Sequence, residues 1–255
     1  MLDQPKPSTE THIERIGHSV KHEEILCHTI GSGPHSVLIV AGIHGNEVGT
    51  VKFAHRLTPW ILSEPALLSY FRFLIIPCLN PDGYNSARIT PDYLHGGRIG
   101  RLNANSVDLN RNFPTPSWVR DATWNHGLNY QEITAVFAGE SPASEPEVQA
   151  LLSVIAKQKP HLIISLHNAG SDVIANPDLF SQNLGHAFAA ASGYRWTKNV
   201  SWRELKQTGT AAEWCEIANI PYVEIEGNSR WSSDWARQKR GIEELLKTFK
   251  ETQRG

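Results

Sequence analysis

Four short runs dense in aliphatic residues recur along the chain, at about 36–43, 70–77 ("YFRFLIIP"), 161–168 ("HLIISLHN") and 222–227 ("YVEIEG"). A strand that reads as a near-continuous apolar run is covered on both faces, which is the condition of strands in parallel sheets. Between and after these runs lie stretches with apolar residues at helical spacing, at 49–62, 144–159, 177–193, 209–219 and 233–251. Strands alternating with helices close into a sheet through right-handed crossovers, with helices packed on both faces. The expected fold is therefore α/β: one domain with a mixed, mostly parallel, twisted β-sheet between helices. Residues 23–31 ("EEILCHTIG") read as a strand of an antiparallel edge, closed by Gly-Ser-Gly-Pro at 31–34. At 255 residues one such domain buries a sizeable core. No repeat, linker or second core divides it, so the domain is expected to run over 11–255 behind a polar, flexible arm at 1–10.

Local signals set the element ends. Ser144, Pro146 and Glu147 predict a capping box opening the helix at 144–159. Gly193 predicts the end of the helix at 177–193. Pro81-Asp82-Gly83 predicts a turn after the strand at 70–77. From about 84 to 143 the chain is rich in Asn, Gly, Pro and Arg without periodicity, and a stretch this long inside a compact domain is commonly functional.

Bulk chemistry excludes several classes. A net charge of −2 and a pI near 6.6 do not suit a partner bound through its phosphates, so no nucleic acid is expected. The three cysteines, Cys27, Cys78 and Cys215, are far apart and offer neither a disulfide framework nor a thiolate zinc site. No run approaches about 18 consecutive apolar residues, so no membrane span is expected. Residues 1–17 lack the apolar core of a signal peptide, and a soluble cytoplasmic protein is the default. Nucleophilic and dinucleotide motifs are lacking as well: there is no G-x-S-x-G, and Gly96-Gly97-x-x-Gly100 opens no helix.

Polar signatures stand at the ends of three buried strands. His44 and Glu47 follow the first, His167 lies in "SLHN", and Glu224 and Glu226 lie in "EIEG". Ligands of open α/β sheets sit outside the carboxyl ends of such strands. Two imidazoles and a carboxylate form a catalytic zinc set with a fourth position left for water. A further carboxylate beside it can take the proton of that water, and Glu224 and Glu226 share one face of their strand, so parity leaves both open. The other ten histidines need no such role. His12, His18, His22, His28, His35, His55, His126 and His186 in particular fit surface or hydrogen-bonded positions.

The stretch "RLNANSVDLNRNFP" (101–114) has many donors and no apolar face. One arginine there is suited to a carboxylate and a second to an oxyanion. Taken in order, His44-x-x-Glu47, Arg101, Asp108-x-Asn110-Arg111-Asn112-Phe, Ser144-Glu-Pro-Glu147, His167 and Glu226 resemble the M14 zinc carboxypeptidases, in particular a compact bacterial branch. The resemblance covers roughly residues 36 to 250. It implies one Zn2+ per chain held by His44, Glu47 and His167, with Glu226 as general base and acid. It further implies that Arg101 polarises the scissile carbonyl and that Asp108 orients His44. Asn110 and Arg111 would hold the free C-terminal carboxylate of a small peptide substrate. Ile220-Pro221 sets the family register at Glu226, leaving Glu224 as the second candidate.

Two departures bear on activity. Where the family usually has a mobile tyrosine, the count back from Trp214 falls on Leu205, and Tyr194 and Trp202 are out of register. The specificity pocket falls near Ala211, Ala212 and Glu213, where small residues give room. Glu213 there fits either an amine-bearing leaving residue such as diaminopimelate or an exposed helix position. The alternative function is a zinc N-acyl amino acid deacylase of the aspartoacylase and succinylglutamate desuccinylase type, which shares "HGNE", "DLNR" and "LHN". That type usually adds a β-rich domain after the catalytic Glu, whereas 29 residues follow Glu226 here. A non-catalytic carboxylate-binding module on the same scaffold is the third reading.

Overall fold

The computed structural model describes residues 11–89, 99–126, 132–197 and 207–253. Its centre is an eight-stranded mixed sheet in the order β1-β2-β4-β3-β7-β10-β8-β9. The inner four strands are β3 (His35–Val40), β4 (Phe71–Ile76), β7 (Leu162–Asn168) and β10 (Tyr222–Gly227). They run parallel to one another, as their apolar sequences require. On one side β2 (Glu24–Ile30) joins β4 antiparallel, and β1 (Thr11–His18) joins β2. On the other side β8 (Asp172–Ala175) joins β10 antiparallel, followed by the short β9 (Arg195–Trp196).

Side-chain parity distributes the core. Val37, Ile39, Phe71, Phe73, Leu162, Ile164, Val223 and Ile225 point to one face. They pack there against α1 (Val48–Leu62), α5 (Leu179–Ser192) and α7 (Trp235–Thr252). Leu38, Val40, Leu74, Ile76, Ile163 and Tyr222 point to the opposite face, under α4 (Pro146–Gln158) and α6 (Ala211–Ile217). Along β7 and β10 this second face changes from apolar to polar toward the carboxyl ends. Ile163, Ser165 and His167 stand beside Tyr222, Glu224 and Glu226 in register.

Several expectations are corrected. β2 lies in an antiparallel edge as expected, but β1 forms a further, outermost strand there; "THIERIGH" carries too few apolar residues to announce it. Pro81-Asp82-Gly83 is not a turn but the first turn of α3 (Pro81–Arg88). The Asn80 side chain caps it by accepting from the Gly83 N–H at 2.8 Å. The short α2 (Pro65–Leu68) also escaped the sequence reading. Ser144 and Glu147 form no capping box. Glu145 takes the N-cap position, and Glu147 turns inward to accept from the Val20 N–H (3.2 Å) and Asn103 Nδ2 (3.1 Å). Within 84–143 the chain is less irregular than its composition suggests. It holds the end of α3, a 3-10 turn at Leu109–Arg111, and the hairpin sheet of β5 (Asp121–His126) and β6 (Glu132–Phe137). The N-terminal arm and the C-terminal residues 254–255 lie outside the described residues. No described helix is long and apolar enough to cross a membrane.

Candidate active site

The chain leaves β3 for β4 on one side of the sheet, and leaves β7 for β8 and β10 on the other. The crevice between the carboxyl ends of β3 and β7 is thus the point where strand order reverses, the usual ligand position in such sheets. The chain leaves β3 through His44-Gly45-Asn46-Glu47 directly into α1. A Cβ on Gly45 would lie 2.1 Å from the Tyr84 backbone nitrogen, so only glycine lets this loop pass against α3. Glu47 occupies the N-cap position of α1 but makes no capping bond. Its carboxylate turns instead to two imidazoles, with Oε1 3.0 Å from His44 Nδ1 and Oε2 3.3 Å from His167 Nδ1.

One ligand atom from each of His44, Glu47 and His167 lies within 4.8 Å of the others, and all three residues are buried. Among the described residues this is the one such group. The set fits a zinc ion on three counts. Its donors are two imidazoles and a carboxylate. Glu47 Oε2 and His167 Nε2 are buried without hydrogen-bond partners. Negative charge is also in excess. Burial alone would keep His167 neutral, but Glu224, Glu47 and Glu226 push its pKa up to about 10. Burial would likewise raise Glu47, yet the facing His44 and His167 hold it far below the carboxylate range. A bound dication supplies the positive charge this arrangement favours.

Asp108 joins the triad to the loop "DLNRN". Its Oδ1 accepts from His44 Nε2 and from the Asn110 N–H, both at 3.0 Å. Its Oδ2 takes Arg101 Nε (3.1 Å) and Nη2 (2.8 Å) as a fork. Burial would raise the Asp108 pKa, but Arg101 and His44 hold it well below the usual range. With two nitrogens fixed, Arg101 extends Nη1 toward the triad, 3.9 Å from Glu47 Oε1. The Trp124 ring of β5 lies 3.9 Å from the same guanidinium and holds its plane.

Arg111 is buried, with Nε bound to the Thr123 carbonyl (2.8 Å) and Nη1 to the Asn110 carbonyl (2.7 Å). Among the described residues no hydrogen bond takes Nη2. Asn110 accepts from the Ala211 N–H through Oδ1 at 2.9 Å, which fixes the amide so that Nδ2 points the other way. Asn112 stands apart: its amide ties the loop to the Ala138 and Ser141 carbonyls and to the Glu145 N–H. The second asparagine of "NRN" is therefore a brace for the start of α4.

The two acids of β10 separate clearly. Glu224 is buried and accepts from the Tyr222 hydroxyl at 2.8 Å. Glu226 is half-buried, pairs in register with His167, and has its pKa raised to about 8. Burial is the main cause of that rise, opposed by His167 and reinforced by Glu47 and Glu224.

A family model described as zinc carboxypeptidase matches residues 4–248. The chain belongs to the M14 zinc carboxypeptidase family. It is 32% identical over 199 residues to murein peptide amidase A of Escherichia coli K12, covering 75% of this chain and 70% of that protein. The crystal structure of murein-tripeptide amidase MpaA from Escherichia coli O157 superposes with a TM-score of 0.72 at 25% identity, over 94% of this chain and 93% of that one. An aspartoacylase family protein of Mesorhizobium loti shares the fold at a TM-score of 0.57 and 18% identity, over 97% of this chain and 68% of that one. As a zinc carboxypeptidase the chain is a metallopeptidase, a hydrolase of a zinc-dependent family.

Against the pattern of the zinc carboxypeptidases, one pocket expectation is corrected. Glu213 is not an exposed helix acid; it is buried and accepts from Thr115 Oγ1 (2.8 Å) and Ser117 Oγ. Those two hydroxyls already use its carboxylate, which fixes the loop after Phe113 to α6. Leu205 and Trp202 lie outside the described residues, and Tyr194 is bound to Asp234 at 2.7 Å. Sequence reasoning missed Trp124 and Arg230. The charge of Arg230 acts on Glu47, Arg101 and Glu226, and its guanidinium is 5.8 Å from the Trp124 ring. Its position four residues past Glu226 was the only available signal.

Proposed function

We propose that this chain hydrolyses the amide bond before the C-terminal residue of a peptide, with the γ-D-glutamyl-diaminopimelate bond of a cell-wall peptide as the leading substrate. One observation carries the reading. The buried His44–Glu47–His167 group stands at the strand switch, with Glu226 in register beside His167. The likeness to murein peptide amidase A supports the choice of substrate. Zinc held by His44, Glu47 and His167, one ion per chain, supplies a Lewis acid for the scissile carbonyl and lowers the pKa of water.

The remaining work belongs to side chains of this protein. Arg111 Nη2 and Asn110 Nδ2 receive the free C-terminal carboxylate and so place the last amide over the triad. Arg101 Nη1 donates to the carbonyl oxygen as it gains charge, and catalysis requires that it bind the tetrahedral oxygen better than the planar one. Glu226 takes a proton from the attacking water, which adds to the amide carbon. The same carboxyl then gives that proton to the leaving amine as the carbon–nitrogen bond breaks. Asp108 holds His44 and Arg101 in place throughout.

Product analysis on murein tripeptide, peptides with varied C-terminal residues and N-acyl amino acids tests the reading. Release of the C-terminal residue from peptides is expected. Cleavage confined to the N-acyl amino acids would replace it with the acylase reading. His167→Ala should abolish stoichiometric zinc in elemental analysis, and a full equivalent retained by that variant would refute the ligand set. Arg111→Ala should lower kcat/KM at least about tenfold on substrates with a free C-terminus, because each bond to a charged group contributes about 1.5–3 kcal/mol. The already slow rate on the C-terminal amides should hardly change. Equal losses on acid and amide would show that Arg111 does not read the carboxylate.

A further inference from the structure

Each histidine of the triad has one nitrogen on the Glu47 side and one turned away. For both rings the nitrogen facing Glu47 is Nδ1. The outward nitrogen of His44 has a carboxylate partner, Asp108, at 3.0 Å. The outward nitrogen of His167 is buried and has no hydrogen-bond partner. Its nearest ionic neighbour is Glu224 Oε2, at 3.7 Å. A metal-binding imidazole almost always donates its other N–H to a carboxylate, carbonyl or water, which fixes tautomer and ring direction.

Glu224 is suited to that task and not to proton transfer with substrate. It is 5% exposed, on the sheet face shared with His167 and one residue pair behind it, where Ser165 is its partner in register. The Tyr222 hydroxyl donates to the same Oε2 at 2.8 Å and fixes the carboxylate from below. A buried carboxylate on an inner strand would be costly without such partners. The neighbouring Glu226, farther toward the strand end, is the more exposed of the two acids.

From these positions we infer that Glu224, anchored by Tyr222, is the positioning residue for His167: it accepts the Nε2–H of that imidazole and fixes the ring with Nδ1 toward the zinc. His44 and His167 are thereby oriented by two different carboxylates, Asp108 from the loop and Glu224 from the sheet. The pair at 3.7 Å is longer than a hydrogen bond, so a small shift of the two side chains toward each other when zinc binds is part of the inference. The inference rests on the zinc reading of the triad.

The test measures zinc affinity of the purified full chain by competition with a chromophoric chelator, for wild type, Glu224→Ala, Glu224→Gln and Tyr222→Phe. Glu224→Ala should weaken zinc about 10–100-fold, the usual effect of removing such a partner. Glu224→Gln keeps an acceptor without the charge and should fall between that variant and wild type. Tyr222→Phe should weaken zinc less than either. Cobalt substituted for zinc gives a second readout, since its visible absorption reports ligand geometry and should shift in Glu224→Ala. The near-isosteric Gln variant, with its circular dichroism checked against wild type, keeps the test valid should the Ala variant misfold. Wild type without an equivalent of zinc would overturn the triad reading and this inference together. Wild-type zinc affinity and an unshifted cobalt spectrum in both Glu224 variants would overturn the inference alone. The same holds if zinc binding stays intact while kcat/KM on lysine-ended peptides falls relative to norleucine-ended ones, because Glu224 would then read a substrate ammonium.

Discussion

Glu226→Gln is expected to keep its zinc and to lose hydrolysis by about 10²–10⁴-fold, the usual contribution of a positioned general base. The amide matches the carboxylate in size but cannot take a proton from the attacking water. Glu226 is not among the three side chains that converge on the metal position, so stoichiometry measured by elemental analysis should stay at one. Glu224→Gln should show the opposite pattern, with weaker zinc and a rate that recovers when zinc is added in excess. A large, zinc-independent loss in Glu224→Gln with little loss in Glu226→Gln would move the base to Glu224 and overturn this assignment.

The pH dependence follows from the same residue. Burial pushes Glu226 up to about 8 in the metal-free chain. Positive charge brought to the triad favours its ionised form, so the value in the loaded enzyme lies below that. A base works only when deprotonated. The rate should therefore rise with pH through the Glu226 pKa, giving an ascending limb of kcat/KM below pH 8. In Glu226→Gln the residual rate should lack that limb. An unchanged limb in the variant would assign the ionisation to another group.

The strands that carry chemistry were legible because their composition is unusual. Val37–Val40, Leu162–Leu166 and Tyr222–Ile225 are apolar enough to be covered on both faces, and the polar residues that follow them mark the carboxyl ends. Parity placed Glu224 and Glu226 together but could not divide their roles, since burial depth along a strand depends on what packs above it. Hidden entirely were relations whose partners are far apart in sequence. Glu147 answers to Val20, and Glu213 to Thr115 and Ser117. Both acids sit on helices, where local rules assign them to a cap or to solvent. The loop at 101–114 shows the same limit from the other side: its residue types announced a site, yet Asn112 proved a brace. Trp124 could not be singled out, because nothing in its own strand says that a guanidinium lies on its ring.

Asp108 is where function and stability meet, and Asp108→Asn should damage both. The carboxylate is fully buried and holds His44, the Asn110 N–H and two nitrogens of Arg101. Removing its charge leaves the buried Arg101 guanidinium with only the more distant Glu47, 3.9 Å away, as counter-ion, and breaking a buried pair from one side costs about 3–5 kcal/mol. For a chain of this size the loss corresponds to a fall in Tm of about 6–20 °C. Its sign with pH is fixed. The folded-state pKa of Asp108 is depressed, so its stabilisation is present above the unfolded value of about 3.9 and is lost as pH falls below it. The Tm gap between wild type and Asp108→Asn, measured by calorimetry, should be widest near neutral pH and shrink as the solution is acidified. Zinc affinity should fall as well, since His44 loses the acceptor that fixes its ring. A gap that stays constant from neutral to acid pH would mean that the Asp108 charge is not what holds this corner of the site together.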